Sequence, residues 1–99
     1  KKDMIIVSRF NVFPNEIEAI ASACNGVAEC ACVGVGDDRT GEAVKLYVVR
    51  TANAALDADT LTAYCRARLT AYKVPKLIEF VDGLPKSAVG KVLRRDLRN

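Results

Sequence analysis

The chain has 99 residues, a net charge of +3 and no histidine or tryptophan. This length allows one small domain, and the missing histidine excludes Ser-His-Asp or Cys-His catalysis, histidine zinc sites and an imidazole pH switch within these residues. Apolar runs reach only 4–5 residues, so we expect neither a membrane-spanning helix nor a signal peptide. Residues 1–50 carry 6 basic and 7 acidic groups whereas residues 51–99 carry 9 and 5, and the basic second half suits an anionic ligand such as a nucleotide or a phosphate.

Five apolar runs predict β-strands. They are residues 4–7, 10–13, 27–35, 43–50 and 77–81. The first two are separated only by Ser8 and Arg9, which predicts a small ribbon. The next two flank a turn rich in Gly and Asp and should form an antiparallel hairpin. The run 27–35 is small or β-branched on both faces, which is typical of a strand buried on both sides.

Two helices are predicted between these strands. The first begins with Pro14 at its favoured first position and ends at Asn25-Gly26. The second begins near Asp57, an N-cap residue. Their apolar stripes are Ile17, Ile20, Ala21 and Cys24 in the first helix and Leu61, Tyr64, Cys65 and Leu69 in the second.

The C-terminal tail is predicted to be polar and flexible over residues 86–90, with one or two helical turns over residues 92–98. The complete order predicts an α+β fold, in which an N-terminal β-ribbon is followed by a three-stranded sheet packed on one side with two main helices.

The four cysteines are spaced unlike redox or zinc motifs. Cys24, Cys30, Cys32 and Cys65 all lie among apolar residues, where a free cysteine behaves as a small hydrophobic residue. We expect buried, reduced thiols and a cytosolic compartment. A metal site, a disulfide or a reactive thiol are the alternatives.

The basic tail has two interpretations. Lys86, Lys91, Arg94 and Arg95 surround residues 87–90. A phosphate-binding P-loop is excluded, because Pro85 and Val92 stand where that motif needs Gly and Ser or Thr. Either Lys91, freed by Gly90, meets phosphate or carboxylate oxygens as charge develops, or the tail is merely solvated.

Four segments decide in favour of the first interpretation. Residues 84–97 resemble the pattern L-P-K-[ST]-x-x-G-K-[IV]-x-R-[RK]-x-L, and residues 1–18, 35–42 and 72–76 resemble three further motifs in the same order. Together these segments resemble the C-terminal domain of the adenylate-forming enzymes, which include acyl-CoA synthetases, luciferases and nonribosomal-peptide adenylation domains. The match is closest to bacterial long-chain fatty acyl-CoA synthetases.

The resemblance implies that residues 1–99 are one mobile C-terminal lid domain, and that a larger N-terminal domain is missing. That missing domain is expected to hold most of the ATP, Mg²⁺ and fatty acid, with CoA as the second substrate. The isolated chain should be inactive and should bind no nucleic acid. The whole enzyme is expected in the cytoplasm, with peripheral attachment to the inner membrane face and homodimerisation left open.

The resemblance also assigns roles to single residues. Lys91 would be the catalytic lysine of adenylation, and Lys2 would be the hinge about which the domain rotates. Seven residues would face pantetheine or the CoA nucleotide: Ser8, Arg9, Phe10, Asn11, Tyr72, Lys73 and Lys76. Gly41-Glu42 would have a structural role in the turn between strands.

Arg9 departs from the family pattern, which usually has Gly at this position. A glycine would let the backbone approach the pantetheine arm closely. Arg9 either obstructs thioester formation or swings outward and offers its charge to CoA phosphates.

Two other functions compete with this one. Another adenylate-forming enzyme, activating aryl or amino acids or loading a carrier protein, would have nearly the same C-terminal domain. A small basic nucleic-acid-binding module is disfavoured, because no stacking platform is visible among the six aromatic residues.

Overall fold

The computed structural model describes residues 3–52 and 54–98. In chain order the elements are β1 (Ile5–Val7), β2 (Phe10–Val12), α1 (Pro14–Ser22), β3 (Val27–Asp37), β4 (Gly41–Arg50), α2 (Ala58–Arg66), the 3-10 turn η1 (Ala71–Lys73), β5 (Leu77–Phe80) and the 3-10 turn η2 (Arg94–Leu97). The predicted α+β class, the hairpin and both helices are confirmed.

The five strands form a single, mostly antiparallel sheet. Its strand order is β2-β1-β4-β3. The strand β5 pairs in parallel with β4, along the same edge of β4 that pairs with β1. The ribbon of β1 and β2 therefore continues the main sheet, through the pair Val7 and Gly41. The sequence patterns showed the ribbon and the other three strands but not this junction.

Both helices are short, and each begins where the local chemistry favours it. Pro14 opens α1, whose first turn carries Glu16, where the helix dipole favours an acid. The Asp57 side chain accepts the N–H of Thr60 at 2.8 Å and caps α2. α1 ends at Ser22, several residues before Gly26, so the predicted end at Asn25-Gly26 was placed too late.

The sheet is covered on both faces. The helix-side core is made by both helices and alternate strand residues, among them Ile17, Leu46, Val48, Leu61 and Cys65. The intervening strand residues, including Ala31, Val33 and Tyr47, face the other way and pack against Leu84, Val92 and Leu97. The C-terminal tail is thus a third layer, which the sequence did not predict. The helical turns predicted over residues 92–98 correspond to η2.

The cysteines are free thiols in the helix-side core. Cys24, Cys32 and Cys65 are buried and Cys30 is half-buried. Burial raises the pKa of Cys65 to about 11, which keeps this thiol protonated and unreactive near neutral pH.

Within residues 3–52 and 54–98, none of the helices combines the length and the apolar character that crossing a bilayer needs.

Candidate functional site

Lys91 is exposed at the end of a hydrogen-bonded turn. The Ser87 N–H donates to Lys91 O at 2.8 Å, and the Lys91 N–H donates to Ser87 Oγ at 3.2 Å. Gly90 has a φ of 87°, which a residue with a side chain rarely adopts. A bridge between Lys86 and Val92 closes the turn. The predicted flexible loop is therefore an ordered hairpin that presents the Lys91 side chain to solvent.

An open cleft beside Lys91 brings together residues from both ends of the chain. Lys91, Arg94 and Arg98 line it together with Asp3. Asp3 lies 3.0 Å from Arg94 and 3.4 Å from Arg98. The start of the chain therefore contacts the segment that carries Lys91. Lys2, the predicted hinge, lies outside the described residues.

A second group of predicted residues lies on the ribbon. Ser8 has a φ of 58° and its N–H donates to Thr40 O at 2.7 Å, which fixes the turn between β1 and β2. Phe10 is 46% exposed and stacks on Tyr72, with ring centroids 4.3 Å apart. Arg9 and Asn11 are exposed beside them. The fold thus brings two sequence-distant predicted segments, 8–11 and 72–76, to one surface.

The two lysines of this group are engaged in ion pairs. Lys73 Nζ lies 3.0 Å from the Glu16 carboxylate on α1. Lys76 Nζ lies 2.6 Å from Asp37 Oδ2 at the end of β3, and this contact holds the pKa of Asp37 well below its usual range. Both lysines therefore help to fix η1 and the start of β5, a role that their predicted place near CoA did not include.

The two groups belong to opposite sides of the sheet. Tyr72 packs against the helix-side core, whereas the tail that carries Lys91 packs against the other face through Val92 and Leu97. Lys91 and the ribbon residues therefore do not converge on one site within this chain.

Three residues of the cleft region escaped the sequence interpretation. Glu18 and Asn15 of α1 bond to Arg94, as Asp3 does. The sequence separations of 76, 79 and 91 residues leave no local pattern that could have found them. The Glu42 carboxylate, predicted as structural, accepts the Ile6 N–H at 2.7 Å and so ties β1 to β4.

The model of the AMP-binding enzyme C-terminal domain family matches residues 16–91, well over half of the chain. The chain belongs to this family. The predicted resemblance to adenylate-forming enzymes is confirmed.

Similar proteins include several CoA ligases. The chain is 57% identical over all of its 99 residues to a long-chain-fatty-acid–CoA ligase of Escherichia coli O6:H1, of which it spans 18%. It is 44% identical over 97 residues to the 3-[(3aS,4S,7aS)-7a-methyl-1,5-dioxo-octahydro-1H-inden-4-yl]propanoyl:CoA ligase of Rhodococcus jostii, of which it spans 19%.

Solved structures with a similar fold include two CoA-ligase-type enzymes. A fatty acyl CoA synthetase of Mycobacterium tuberculosis matches with a TM-score of 0.92 and 38% identity, over 97% of this chain and 19% of that one. The ATP-bound MatB of Rhodopseudomonas palustris matches with a TM-score of 0.95 and 39% identity, over 98% of this chain and 19% of that one. In all four cases the chain spans less than a fifth of its relative.

Proposed function

We propose that this chain is the mobile C-terminal domain of a long-chain fatty acid–CoA ligase. The observation that carries the proposal is the match of all 99 residues, at 57% identity, to 18% of such a ligase. A larger N-terminal domain then holds ATP with its Mg²⁺ and the fatty acid. The C-terminal domain formed by residues 1–99 closes over these substrates in two orientations, and it rotates about a hinge at Lys2.

In the first orientation Lys91 assists adenylation. A carboxylate oxygen of the fatty acid attacks the α-phosphorus of ATP, which gives the acyl-adenylate and releases pyrophosphate. The Lys91 ammonium meets the negative charge that develops on these oxygens. The ordered turn and the solvent-exposed position of this side chain support that role.

In the second orientation the ribbon faces CoA. The CoA thiol loses its proton to solvent, its sulfur attacks the acyl carbonyl, and AMP leaves as the thioester forms. Ser8 to Asn11 line the pantetheine arm, while Tyr72, Lys73 and Lys76 lie towards the CoA nucleotide. The stack of the exposed Phe10 on Tyr72, away from the tail that carries Lys91, supports an alternation of two surfaces.

The test is Lys91→Ala in the whole enzyme, with each half-reaction measured separately. We expect acyl-adenylate formation, followed as ATP–pyrophosphate exchange, to fall by about 100-fold or more. Thioester formation from a synthetic acyl-adenylate should stay within about twofold of the wild type. Arg66→Ala, an exposed cation in the last turn of α2, is the control and should change neither rate. Equal loss of both half-reactions in Lys91→Ala would contradict the proposed role.

The acyl substrate is set by the larger domain in this proposal. The Rhodococcus jostii relative, at 44% identity, is a ligase for a different acid, which supports this assignment. A panel of fatty, aryl and amino acids offered to the whole enzyme separates the long-chain ligase from another adenylate-forming enzyme. We also propose a cytoplasmic enzyme peripheral to the inner membrane face, where its acyl substrate partitions.

A further inference from the structure

The Arg94 guanidinium joins segments that are far apart in the sequence. Its Nε and Nη2 atoms donate to the two carboxylate oxygens of Glu18, at 3.0 and 2.6 Å. Nη2 also donates to Asn15 Oδ1 at 2.7 Å, and Nη1 donates to Asp3 Oδ2 at 3.0 Å. The Arg94 side chain is only 21% exposed. A two-pronged arginine–carboxylate contact in such a partly buried setting is stronger and geometrically stricter than a surface ion pair.

Glu18 connects this contact to the sheet. Its Oε2 atom also accepts the backbone N–H of Cys32 at 2.8 Å. Cys32 is buried in β3, which is an edge strand of the sheet formed by residues 3–52 and 54–98. In this part of the chain, the Cys32 N–H therefore has no further strand to bond. The Glu18 carboxylate thus accepts a backbone N–H at the edge of β3 and also binds Arg94. Together these contacts anchor η2 to both α1 and β3.

The contacts of Arg94 also determine where Lys91 lies. Arg94 begins η2 only three residues after Lys91, and the segment between them is held by Val92 on the second face of the sheet and by the Leu93 N–H, which donates to Pro85 O at 2.9 Å. The Lys91 side chain is exposed and makes no ion pair within the described part of the chain. Its location therefore depends on how firmly the backbone around it is anchored.

We propose that Arg94 is a positioning residue, which holds the Lys91 segment against α1, β3 and Asp3 so that the Lys91 ammonium reaches the reacting oxygens in the adenylation orientation. This inference rests on the proposed function of Lys91. Arg94 is a poor candidate for a direct phosphate ligand, because its charge is balanced by Glu18 and Asp3 and its Nε, Nη1 and Nη2 atoms are all engaged.

The test is Arg94→Gln in the whole enzyme. Glutamine cannot bond to both Glu18 oxygens and to Asp3, so we expect kcat of ATP–pyrophosphate exchange to fall roughly 10- to 100-fold. KM for ATP and for the fatty acid should change by less than about twofold, because the substrates bind elsewhere. Thioester formation from synthetic acyl-adenylate should also stay near the wild-type rate. Arg66→Gln, which removes an exposed arginine of α2 that does not line the cleft beside Lys91, is the matched control and should change none of these values.

A double variant tests whether Arg94 acts through Lys91. In the Lys91→Ala background, Arg94→Gln should cause no further loss of adenylation. A further loss by the same factor would overturn the inference, and so would an equal loss of both half-reactions in Arg94→Gln alone, which would indicate a general loss of folding. If Lys91→Ala by itself leaves adenylation unchanged, the proposed function fails. If Lys91→Ala lowers adenylation and Arg94→Gln does not, only the role of Arg94 fails.

Discussion

Gly26 occupies a backbone conformation that other residues rarely adopt. Its φ is +100°, and a Cβ atom here would lie 3.0 Å from the Cβ of the buried Leu56. Gly36 is a contrasting case, because an added Cβ would meet nothing within 4 Å and its φ is not positive. A substitution by alanine should therefore disturb the structure more at Gly26 than at Gly36.

We expect Gly26→Ala to lower the free energy of unfolding by about 1–3 kcal/mol, because the backbone would be strained and Leu56 would have to move. Gly36→Ala should cost less than about 0.5 kcal/mol. Urea unfolding of both variants, compared by their midpoints, measures the difference. Equal losses at the two positions would show that the left-handed conformation and the contact with Leu56 contribute nothing.

The sequence singled out Gly26 and Lys91, but it did not predict the long-range contacts around them. Gly26 was expected to end a helix, but it lies beyond the end of α1 and serves to bring the chain against Leu56, 30 positions later. The Lys91 motif was recognised, yet the partners of Arg94 were not, because each lies at least 76 residues away. Contacts of that range leave no trace in local patterns.

The helices and strands begin where short-range chemistry places them. The start of α2 is a clear case, because the Asp57 carboxylate accepts the Thr60 N–H at 2.8 Å. This hydrogen bond lowers the pKa of Asp57 below its ordinary value. Because the folded state favours the charged form, the contribution of this cap is complete above about pH 4 and is lost as the pH falls towards the lowered pKa.

We expect Asp57→Ala to lower the midpoint of thermal unfolding by a few degrees at pH 7, because one N–H of the first turn loses its acceptor. Asp57→Asn keeps an acceptor at this position and should unfold near the wild-type temperature. It should also lose less stability than the wild type on acidification to about pH 3, since the titrating carboxyl is gone. Circular dichroism melts at both pH values test this, and identical behaviour of the two variants would refute the cap.

The α+β class, the helix starts and the hairpin of β3 and β4 were predicted correctly, but the end of α1, the junction of the ribbon with β4 and the packed tail were not. The hairpin of β3 and β4 and both helix starts follow from turn residues, caps and apolar periodicity. The junction of the ribbon with β4 and the tail on the second face depend on contacts between distant segments. The tail itself carries few apolar residues, Leu84, Val92 and Leu97 among them, and their spacing is too irregular to predict a packed layer.

On the scale of the whole molecule, the two candidate surfaces are physically separate. Lys91 belongs to the layer on one face of the sheet, and the stack of Phe10 on Tyr72 joins the helix-side core. Substitutions on the two surfaces should therefore affect different half-reactions of the whole enzyme.

Arg9→Gly is the substitution that tests this on the ribbon. The Arg9 side chain is exposed, so removing it should leave the fold intact. The φ of Arg9 is not positive, so the backbone at this position does not require a glycine. We expect adenylation to stay within about twofold of the wild type, while the rate or KM of thioester formation with CoA changes by more than that. A faster reaction would indicate that Arg9 obstructs the pantetheine arm, and a slower one that it offers charge to CoA phosphates. A change in adenylation alone would contradict the separation of the two surfaces.

The contact between Asp3 and Arg98, 3.4 Å apart, has a mechanical consequence. Residues near both ends of the chain meet at one corner of a domain whose longest dimension is 38 Å. If the domain pivots at Lys2, this corner lies close to the pivot, and parts of the domain that are farther from the pivot travel farther. A modest change in a few backbone torsions can then exchange one face for the other.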